Sequence, residues 1–428
     1  MAEADRRARG WGPRFEVLRL RDLRFVFGST LASSLGDGII GVALAFAVLD
    51  LTHSATDLGI VMAARTLTMI GGMLIGGVVA DRLSRRMVMI AADLVRFAGQ
   101  VAIGLLLLAG EATVSEVVVS QILVAAGNSF FEPASSGMIQ AAAGEHVQEA
   151  NALRVIASSS TGMLGPAIGG ALVATIGSSY GLIADGASYL LSAVLLFQVS
   201  SSARAAHERD REASSFVADL RSGFDEVSGR RWVWATILNM AIANMLMAAY
   251  PVLGPLICKQ HYGGAPAWAL LSVVLAAGML VGGSVLLRYR PRYLLRAGFL
   301  AFLPAMLPLV LLGLHAPIYL IAGCAFISGI GMTFDNALWW TAMQQHIPAT
   351  AISRVSSYDW AGTLAVQPIG YALVGPLSDA IGTSDAIIAC GAGATAVTIS
   401  ALLVRDIRTL ETKPSGNTSD APTEPAPA

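Results

Sequence analysis

The sequence predicts an all-α membrane protein of twelve transmembrane helices arranged as two six-helix bundles. Of its 428 residues, 55% are hydrophobic and 13% are charged, whereas water-soluble domains carry roughly 25% charged residues. The mean hydropathy is +0.64. Apolar stretches of about 20 residues, the length that crosses the roughly 30 Å hydrocarbon layer, recur along the whole chain. A lipid bilayer is therefore the expected surrounding of most of this protein.

The predicted spans form two groups of six. They are 24–50, 56–80, 87–109, 114–141, 151–176, 180–200, 232–258, 266–288, 293–314, 316–343, 352–380 and 383–405. A charged stretch separates the sixth span from the seventh, and the chain ends in a segment rich in Pro, Ser, Thr and Glu, which is typical of disorder. The predicted domains are a cytoplasmic tail at 1–23, an N-terminal bundle at 24–200, a cytoplasmic connector at 201–231, a C-terminal bundle at 232–405 and a disordered cytoplasmic tail at 406–428.

The two halves align with each other at an offset of about 200 residues. Arg154 matches Arg354, Gly162 matches Gly362, and the Ile-Gly pair at 176–177 matches the one at 381–382. Each match is weak alone, but their common order indicates a duplicated unit of six helices. In duplicated membrane proteins of this kind, the solute site forms near the membrane midplane between the repeats.

Positive charge predicts the orientation in the membrane. Of the 28 Lys and Arg residues, Arg65 and Arg96 fall inside spans, and all others except Lys259 lie on one side when the connections alternate. Loops rich in Lys and Arg stay in the cytoplasm. We therefore expect a multi-pass protein of the cytoplasmic membrane with both termini in the cytoplasm.

One loop carries a specific motif. The segment after the second span contains Gly77, Asp81, Arg82, Arg85 and Arg86 in the order G-x-x-x-D-R-x-x-R-R. A short basic turn is expected on the cytoplasmic side, but this spacing is not. It resembles the signature loop of the major facilitator superfamily, with every position filled. The resemblance implies a cytoplasmic gate in which this loop meets the second bundle.

The expected partners of this gate lie at the start of the eleventh span. Asp81 is expected to be stabilised against the N-terminus of that helix, where backbone N–H groups favour negative charge. Arg354 lies near its first residue, and Asp359, one to two turns further on, is an expected partner for Arg82 or Arg85.

The fifth span carries a second motif. Gly162, Gly165, Pro166, Gly169 and Gly170 are closely spaced there, and small residues are generally needed where membrane helices pack closely. The spacing is also similar to the G-P-x-x-G-G element that exporters of the superfamily carry in helix five, so export is favoured. Glycines at 278, 282 and 283 are expected to face this span, and Gly72 and Gly76 are expected to face glycines at 362, 370 and 375.

Further phrases at 149–154, 184–188 and 353–359 resemble the branch of the superfamily that includes the enterobactin exporter and actinobacterial multidrug-efflux proteins. This resemblance covers nearly the whole chain. It implies proton-driven efflux of a hydrophobic or amphipathic small molecule.

Ionisable residues inside spans are costly and are functional candidates. Asp37 lies near the middle of the first span between two glycines. It is either a proton-coupling group or a structural hydrogen-bond acceptor, and Arg65 is a possible partner for it. Asp93 and Arg96, one turn apart, are expected to form an ion pair inside the first bundle. Asp185 is expected to support the fold.

The resemblance implies that helices one, four, seven and ten line the substrate cavity, and the aromatic and polar residues of these helices are the candidates. Aromatic faces with a few polar groups suit a large, partly apolar ligand, and acidic groups favour a cationic one. Glu132 is also a proton-coupling candidate. The alternative is that several of the aromatic residues face lipid. The candidates are Phe130, Phe131, Glu132, Asn239, Asn244, Tyr250, Asp335, Asn336, Trp339 and Trp340.

The leading hypothesis is a secondary active transporter, a proton-coupled antiporter that exports a drug, antibiotic or siderophore by alternating access. The alternatives are a lysophospholipid flippase of the same fold and a proton symporter for uptake. The sequence contains no HExxH, no P-loop and no nucleophile elbow, so an enzyme is not expected. Cys258, Cys324 and Cys390 form no CxxC pair, and neither a metal nor a cofactor is expected. The expected partners are a small-molecule substrate, protons and the lipid bilayer, without nucleic acid, for a protein that acts as a monomer.

Overall fold

The computed structural model describes residues 20–200 and 224–413. Within these ranges nearly every residue is helical, which confirms the predicted fold class. The first six long helices, here called the N-bundle, are α1 Arg21–Thr52, α2 Ala55–Arg82, α3 Arg85–Ala109, α4 Val114–Ala143, α5 Val147–Thr175 and α6 Ser178–Phe197. The second six, the C-bundle, are α7 Arg231–His261, α8 Ala265–Leu286, α9 Leu294–Gly313, α10 Ile318–His346, α11 in two pieces, Ala349–Ala365 (α11a) and Gln367–Ile381 (α11b), and α12 Thr383–Ala401.

Ten helices of the described residues are long and apolar enough to cross a membrane, namely α1, α3 to α10 and α12. The two other long helices, α2 and α11, complete the predicted set of twelve. The eleventh predicted span is present, and its helix is interrupted at Val366. Pro368 follows this break and has no N–H to continue the backbone ladder.

The tail predicted to be disordered is ordered over its first residues. A short helix, α13, covers Arg405–Thr409. Glu411 then accepts hydrogen bonds from Arg292, with the Nη2 to Oε1 distance at 2.9 Å, and the Thr412 hydroxyl donates to the Pro291 carbonyl at 2.6 Å. These contacts join the segment to the loop between α8 and α9. Residues 1–19 of the predicted tail, residues 201–223 of the predicted connector and residues 414–428 lie outside the described residues.

Within each bundle the helices pack in a closely related pattern. In the N-bundle, α1 packs against α5 and α6, α3 against α4 and α6, and α2 against α4. In the C-bundle, α8 and α9 pack against α10, and α12 packs against α7 and α9. The bundles meet mainly through two pairs, α2 with α11b and α5 with α8.

The bundles touch at one end of the molecule, which we call the closed end. It is the end at which α1 turns into α2. There the Thr56 hydroxyl donates to Asp379 Oδ2 at 2.9 Å, and Lys259 Nζ donates to Asp50 Oδ1 at 2.6 Å. Buried apolar side chains from both bundles surround these contacts. Direct polar bonds and a shared apolar core therefore hold the bundles together at this end.

The bundles separate towards the opposite end, which we call the open end and which carries the turn between α2 and α3. A Cβ placed on Gly162 of α5 or on Gly283 of α8 would have no heavy atom within 4 Å among the described residues. At the closed end of the same helix pair, by contrast, Gly170 packs directly against Ala269. Among the described residues, the bundles are thus in contact at the closed end and apart at the open end.

Most glycines expected between the bundles pack inside a bundle instead, and this part of the expectation is wrong. Gly278 and Gly282 lie against the backbone of α10, and Gly72 lies against Ser129 of α4. Among the glycines of α11, Gly375 does contact α2, where it meets Thr56. Close backbone approach suits helices that stay together, whereas surfaces that must separate do not require it.

Candidate functional site

A connected set of polar side chains crosses the apolar interior of the N-bundle, and Arg96 of α3 lies at its centre. Arg96 is 1% exposed and forms an ion pair with Asp93, which confirms the predicted pair. Its Nη1 donates to Asn128 Oδ1 at 2.6 Å and to Ser33 Oγ at 3.1 Å. The Ser192 hydroxyl of α6 donates to Asp93 Oδ2 at 2.6 Å. One buried ion pair therefore joins α1, α3, α4 and α6.

Two aromatic rings enclose the same guanidinium. Arg96 Cζ lies 4.3 Å from the ring centroid of Phe131 and 4.2 Å from that of Tyr189. A cation over an aromatic face is attracted by the ring quadrupole, and more strongly when water is excluded. Phe131, a predicted cavity residue, is 2% exposed and thus packs inside the N-bundle.

We expect an Arg96→Met protein to be strongly destabilised. Removing one partner of a buried ion pair leaves an uncompensated charge, here Asp93, which typically costs about 3–5 kcal/mol. The measurement is the thermal unfolding temperature of purified protein in detergent. The matched control is Arg405→Met, which removes an exposed arginine and is expected to leave this temperature nearly unchanged. Equal unfolding temperatures for the two variants would contradict the central role of Arg96.

Asp37 of α1 is half-buried and accepts a hydrogen bond from the Tyr189 hydroxyl at 2.9 Å. The sequence analysis gave Arg65 as a possible partner of Asp37, but the two side chains do not pair. Arg65 Nη1 donates instead to Gln121 Oε1 of α4 at 3.3 Å. Helix α1 packs extensively against α6 and only slightly against α2, so the partner comes from α6.

Two glutamines form a second hydrogen-bonded polar set with Asp185 of α6. Gln121 Nε2 donates to Gln100 Oε1 at 3.3 Å, and Gln100 Nε2 donates to Asp185 Oδ2 at 2.5 Å. Both glutamines are fully buried. The sequence analysis missed Gln100 and Tyr189. A usable signal was their spacing, since each lies four residues after an ionisable residue of the same helix, Arg96 or Asp185.

Glu132 of α4 is not part of this interior set. Its side chain is 66% exposed, and its Oε2 lies 3.8 Å from Nη2 of Arg154 on α5. Arg154 also donates to the Ser136 hydroxyl at 3.1 Å. Glu132 is therefore open to solvent or to a ligand.

Several predicted cavity residues of the C-bundle face their own bundle. Asn239 donates to the Val397 carbonyl of α12 at 2.6 Å, and Asp335 is buried beside Gly298 of α9. Trp339 donates to Asp359 Oδ2 at 3.1 Å. Buried polar groups need such partners, which turns these side chains inward.

The remaining candidates are more accessible. Asn336 is exposed, and Phe130, Asn244, Tyr250 and Trp340 are half-buried. Asn244 donates to the Thr363 carbonyl of α11a at 3.4 Å. The Tyr250 ring lies 4.9 Å from that of Trp268.

The predicted gate residues lie in separate places. The side chains of Gly77, Asp81 and Arg82 fall outside the described part of the chain. Arg85 donates to the Gly137 carbonyl of α4 at 3.0 Å, and Arg86 donates to the Leu196 and Phe197 carbonyls of α6 at 3.0 and 2.9 Å. Cations are favoured at such a helix C-terminus. These two arginines thus hold the N-bundle together at the open end.

On the other side of the opening, Asp359 of α11a is bound to Trp339, and Arg354 is half-buried. Asp359 and Arg85, which the sequence analysis expected to pair, each have another partner in this conformation. Since the bundles are apart at this end in the described residues, the expected contact between the loop and α11 would require a different conformation.

The glycines of α5 serve two different contacts. Gly165 and Gly169 lie against the backbone of Gly38 and Ile39 on α1. Gly170 faces α8 across the closed end. The spacing of this motif therefore joins α5 to the segment of α1 that carries Asp37, which lies between Gly36 and Gly38.

Two helical bundles that meet at one end, with a buried ionisable network in one of them, define a membrane transport protein of the two-repeat type. The profile of the Major Facilitator Superfamily matches residues 26–362. The chain belongs to the major facilitator superfamily.

Characterised relatives cover nearly its whole length. The chain is 27% identical over 397 residues to the multidrug efflux pump Tap of Mycolicibacterium fortuitum, a match that covers 86% of this chain and 91% of Tap. It is 26% identical over 390 residues to the enterobactin exporter EntS of Escherichia coli O1:K1 / APEC, covering 89% of this chain and 91% of EntS.

Solved transporters share the fold. A bacterial homologue of the human lysosomal transporter Spinster, in an inward-facing and unoccupied conformation, superposes with a TM-score of 0.66 at 15% identity, covering 94% of this chain and 97% of that one. The nucleoside transporter NupG superposes with a TM-score of 0.72 at 10% identity, covering 90% and 99%.

Proposed function

We propose that the protein is a proton-coupled antiporter that exports a hydrophobic or amphipathic small molecule from the cytoplasm by alternating access. The observation that carries this proposal is the position of Asp37, a half-buried carboxyl group at the centre of α1 that contacts a buried polar network. A carboxyl group at this depth is costly to keep charged, so binding and loss of a proton there has a large energetic effect. The names of the relatives Tap and EntS support efflux as the direction.

The orientation follows from the arginines. The open end carries the basic turn between α2 and α3 and the arginines at 288–296, and loops rich in arginine remain in the cytoplasm. The open end is then cytoplasmic, and the described conformation is inward-open. In this conformation the closed end separates the space between the two bundles from the outer side of the membrane.

Coupling requires that the proton and the substrate favour different conformations. A proton bound from the outer side neutralises Asp37 and lowers the cost of enclosing it in the apolar bundle. In the inward-open state Asp37 gives up its proton, and the ionised carboxylate accepts the hydrogen bond from Tyr189. Substrate binding from the cytoplasm then favours the return to the outward-open state.

The substrate class follows from the accessible candidates. Glu132 is a highly exposed acidic group, and Asn336 and Trp340 supply a polar group and an aromatic ring on α10. This set fits an amphipathic cation better than an anion, because cations are attracted by both carboxylates and aromatic faces. The protein needs no second copy for this cycle and is proposed to act as a monomer.

A second candidate is a lysophospholipid flippase. A crevice beside the α8–α9 loop is lined by Arg292, Tyr293, Arg296, Leu300 and Phe334, among others. Arginines next to apolar side chains fit a phosphate headgroup with an acyl chain.

An accumulation assay tests the two candidates. Cells that express the protein and cells with an empty vector are loaded with fluorescent cationic, neutral and anionic amphiphiles. We expect lower accumulation of cationic compounds in the expressing cells, and a protonophore is expected to abolish the difference. No difference for any compound, together with an altered distribution of labelled lysophospholipid, would replace the antiporter by the flippase.

A further inference from the structure

We propose that Asp37 and Asp185 together form one proton-binding site inside the N-bundle, and that Asp185 holds the proton in the conformation described above. This inference rests on the proposed proton coupling and adds a second carboxyl group to it. The site would bind a single proton and exchange it with water through Asp37.

Asp185 has one satisfied and one unsatisfied carboxyl oxygen. The residue is fully buried, and its Oδ2 accepts a hydrogen bond from Gln100. Its Oδ1 is also buried and has no hydrogen-bond partner among the described residues. An ionised carboxylate in this position would leave a charged oxygen unpaired in an apolar interior, which is very unfavourable. A proton on Oδ1 removes that charge.

The unsatisfied oxygen points at the segment of α1 that carries Asp37. A Cβ placed on Gly36 would lie 2.5 Å from Asp185 Oδ1. Tyr189, one turn after Asp185 on α6, donates to Asp37 at 2.9 Å. The glycine before Asp37 therefore permits the close approach of α6, and both aspartates lie on helices that meet at this contact.

A charge count supports a single proton. The ionisable side chains of the described N-bundle that face this site are Asp37 from α1, Arg65 from α2, Asp93 and Arg96 from α3, and Asp185 and Tyr189 from α6. If all three aspartates were ionised, their negative charges would outnumber the positive charges of the two arginines by one. Since Arg96 pairs with Asp93, one proton shared by Asp37 and Asp185 makes the interior neutral.

The two carboxyl groups differ in their access to water. Asp37 is half-buried, whereas Asp185 has no exposed surface. A proton from water therefore reaches Asp37 first. Its transfer to Asp185 leaves Asp37 ionised and able to accept from Tyr189, and the reverse transfer returns the proton to water. No bond other than the O–H bonds is made or broken.

Infrared spectroscopy of purified protein in lipid nanodiscs tests the site without any substrate. At neutral pH we expect the C=O band of one protonated carboxyl group. The band is expected to be lost in Asp185→Asn. In the control Asp385→Asn, which changes an exposed carboxylate at the start of α12, it is expected to be unchanged. Persistence of the band in Asp185→Asn, or its absence from the unmodified protein, would overturn the proposal.

A second variant covers the case in which Asp185→Asn fails to fold. Gln100→Met removes the donor to Asp185 Oδ2, so the band is expected to shift to higher frequency while its area is retained. An unshifted band would also overturn the assignment. These spectra need no substrate, so they test the proton site independently of the accumulation assay. The spectra can contradict the site while the assay supports export, and the assay can contradict export while the spectra support the site.

Discussion

An Asp37→Asn protein is expected to lose proton-driven accumulation of substrate altogether. A gradient of one pH unit corresponds to roughly 1.4 kcal/mol per proton and thus to about a tenfold accumulation ratio. Since asparagine cannot take up or release a proton in this range, the variant is expected to reach a ratio of about one. The measurement is uptake of a fluorescent cation into proteoliposomes with an imposed pH gradient.

Two further variants make this result specific. Asp385→Asn removes a carboxylate from an exposed position and is expected to keep the tenfold ratio. Tyr189→Phe removes the donor to Asp37 while retaining the ring, so its uptake is expected to depend on pH differently. Undiminished accumulation by Asp37→Asn under the gradient would show that another group couples the proton.

The sequence predicted local features of this protein well. The Asp93–Arg96 pair lies within one turn of one helix, so helical geometry alone places the two side chains together. The spans follow in the same way from the length of apolar stretches. The interruption of α11 was missed although Pro368 is visible in the sequence, because proline is often tolerated in membrane helices.

Contacts between distant helices were harder to predict. Tyr189 and Asp37 are 152 positions apart, and their contact depends on the rotation of both α1 and α6. Hydrophobic patterning fixes such rotations in water-soluble proteins, but it does so weakly in a membrane, where lipid is as apolar as the helix interior. The same difficulty explains why Gly278, Gly282 and Phe131 were assigned to the wrong faces.

The conformation cannot be predicted from a single sequence in any case. Under the proposed alternating access, the gate motif and the closed end would form their contacts in different states of the same chain. Arg85 and Arg86 bind carbonyls within the N-bundle while the bundles are apart at the open end. Lys259 is the one basic residue predicted on the outer side, and it binds Asp50 at the closed end.

A crosslink across the closed end is expected to stop transport. Thr56 of α2 and Asp379 of α11b are joined by a hydrogen bond of 2.9 Å, so cysteines at both positions are expected to crosslink on oxidation. The background would be a variant in which Cys258, Cys324 and Cys390 are replaced by alanine. Since alternating access requires this end to open, efflux is expected to fall to the background rate and to recover after reduction.

The matched control is a crosslink inside one bundle. The hydroxyl groups of Thr30 on α1 and Ser135 on α4 lie 3.2 Å apart, and both residues belong to the N-bundle. If the bundles move as rigid units, a crosslink between cysteines at these positions leaves efflux nearly unchanged. Undiminished efflux from both crosslinked proteins would show that the closed end never opens during transport. Loss of efflux in both would show instead that the N-bundle itself changes shape.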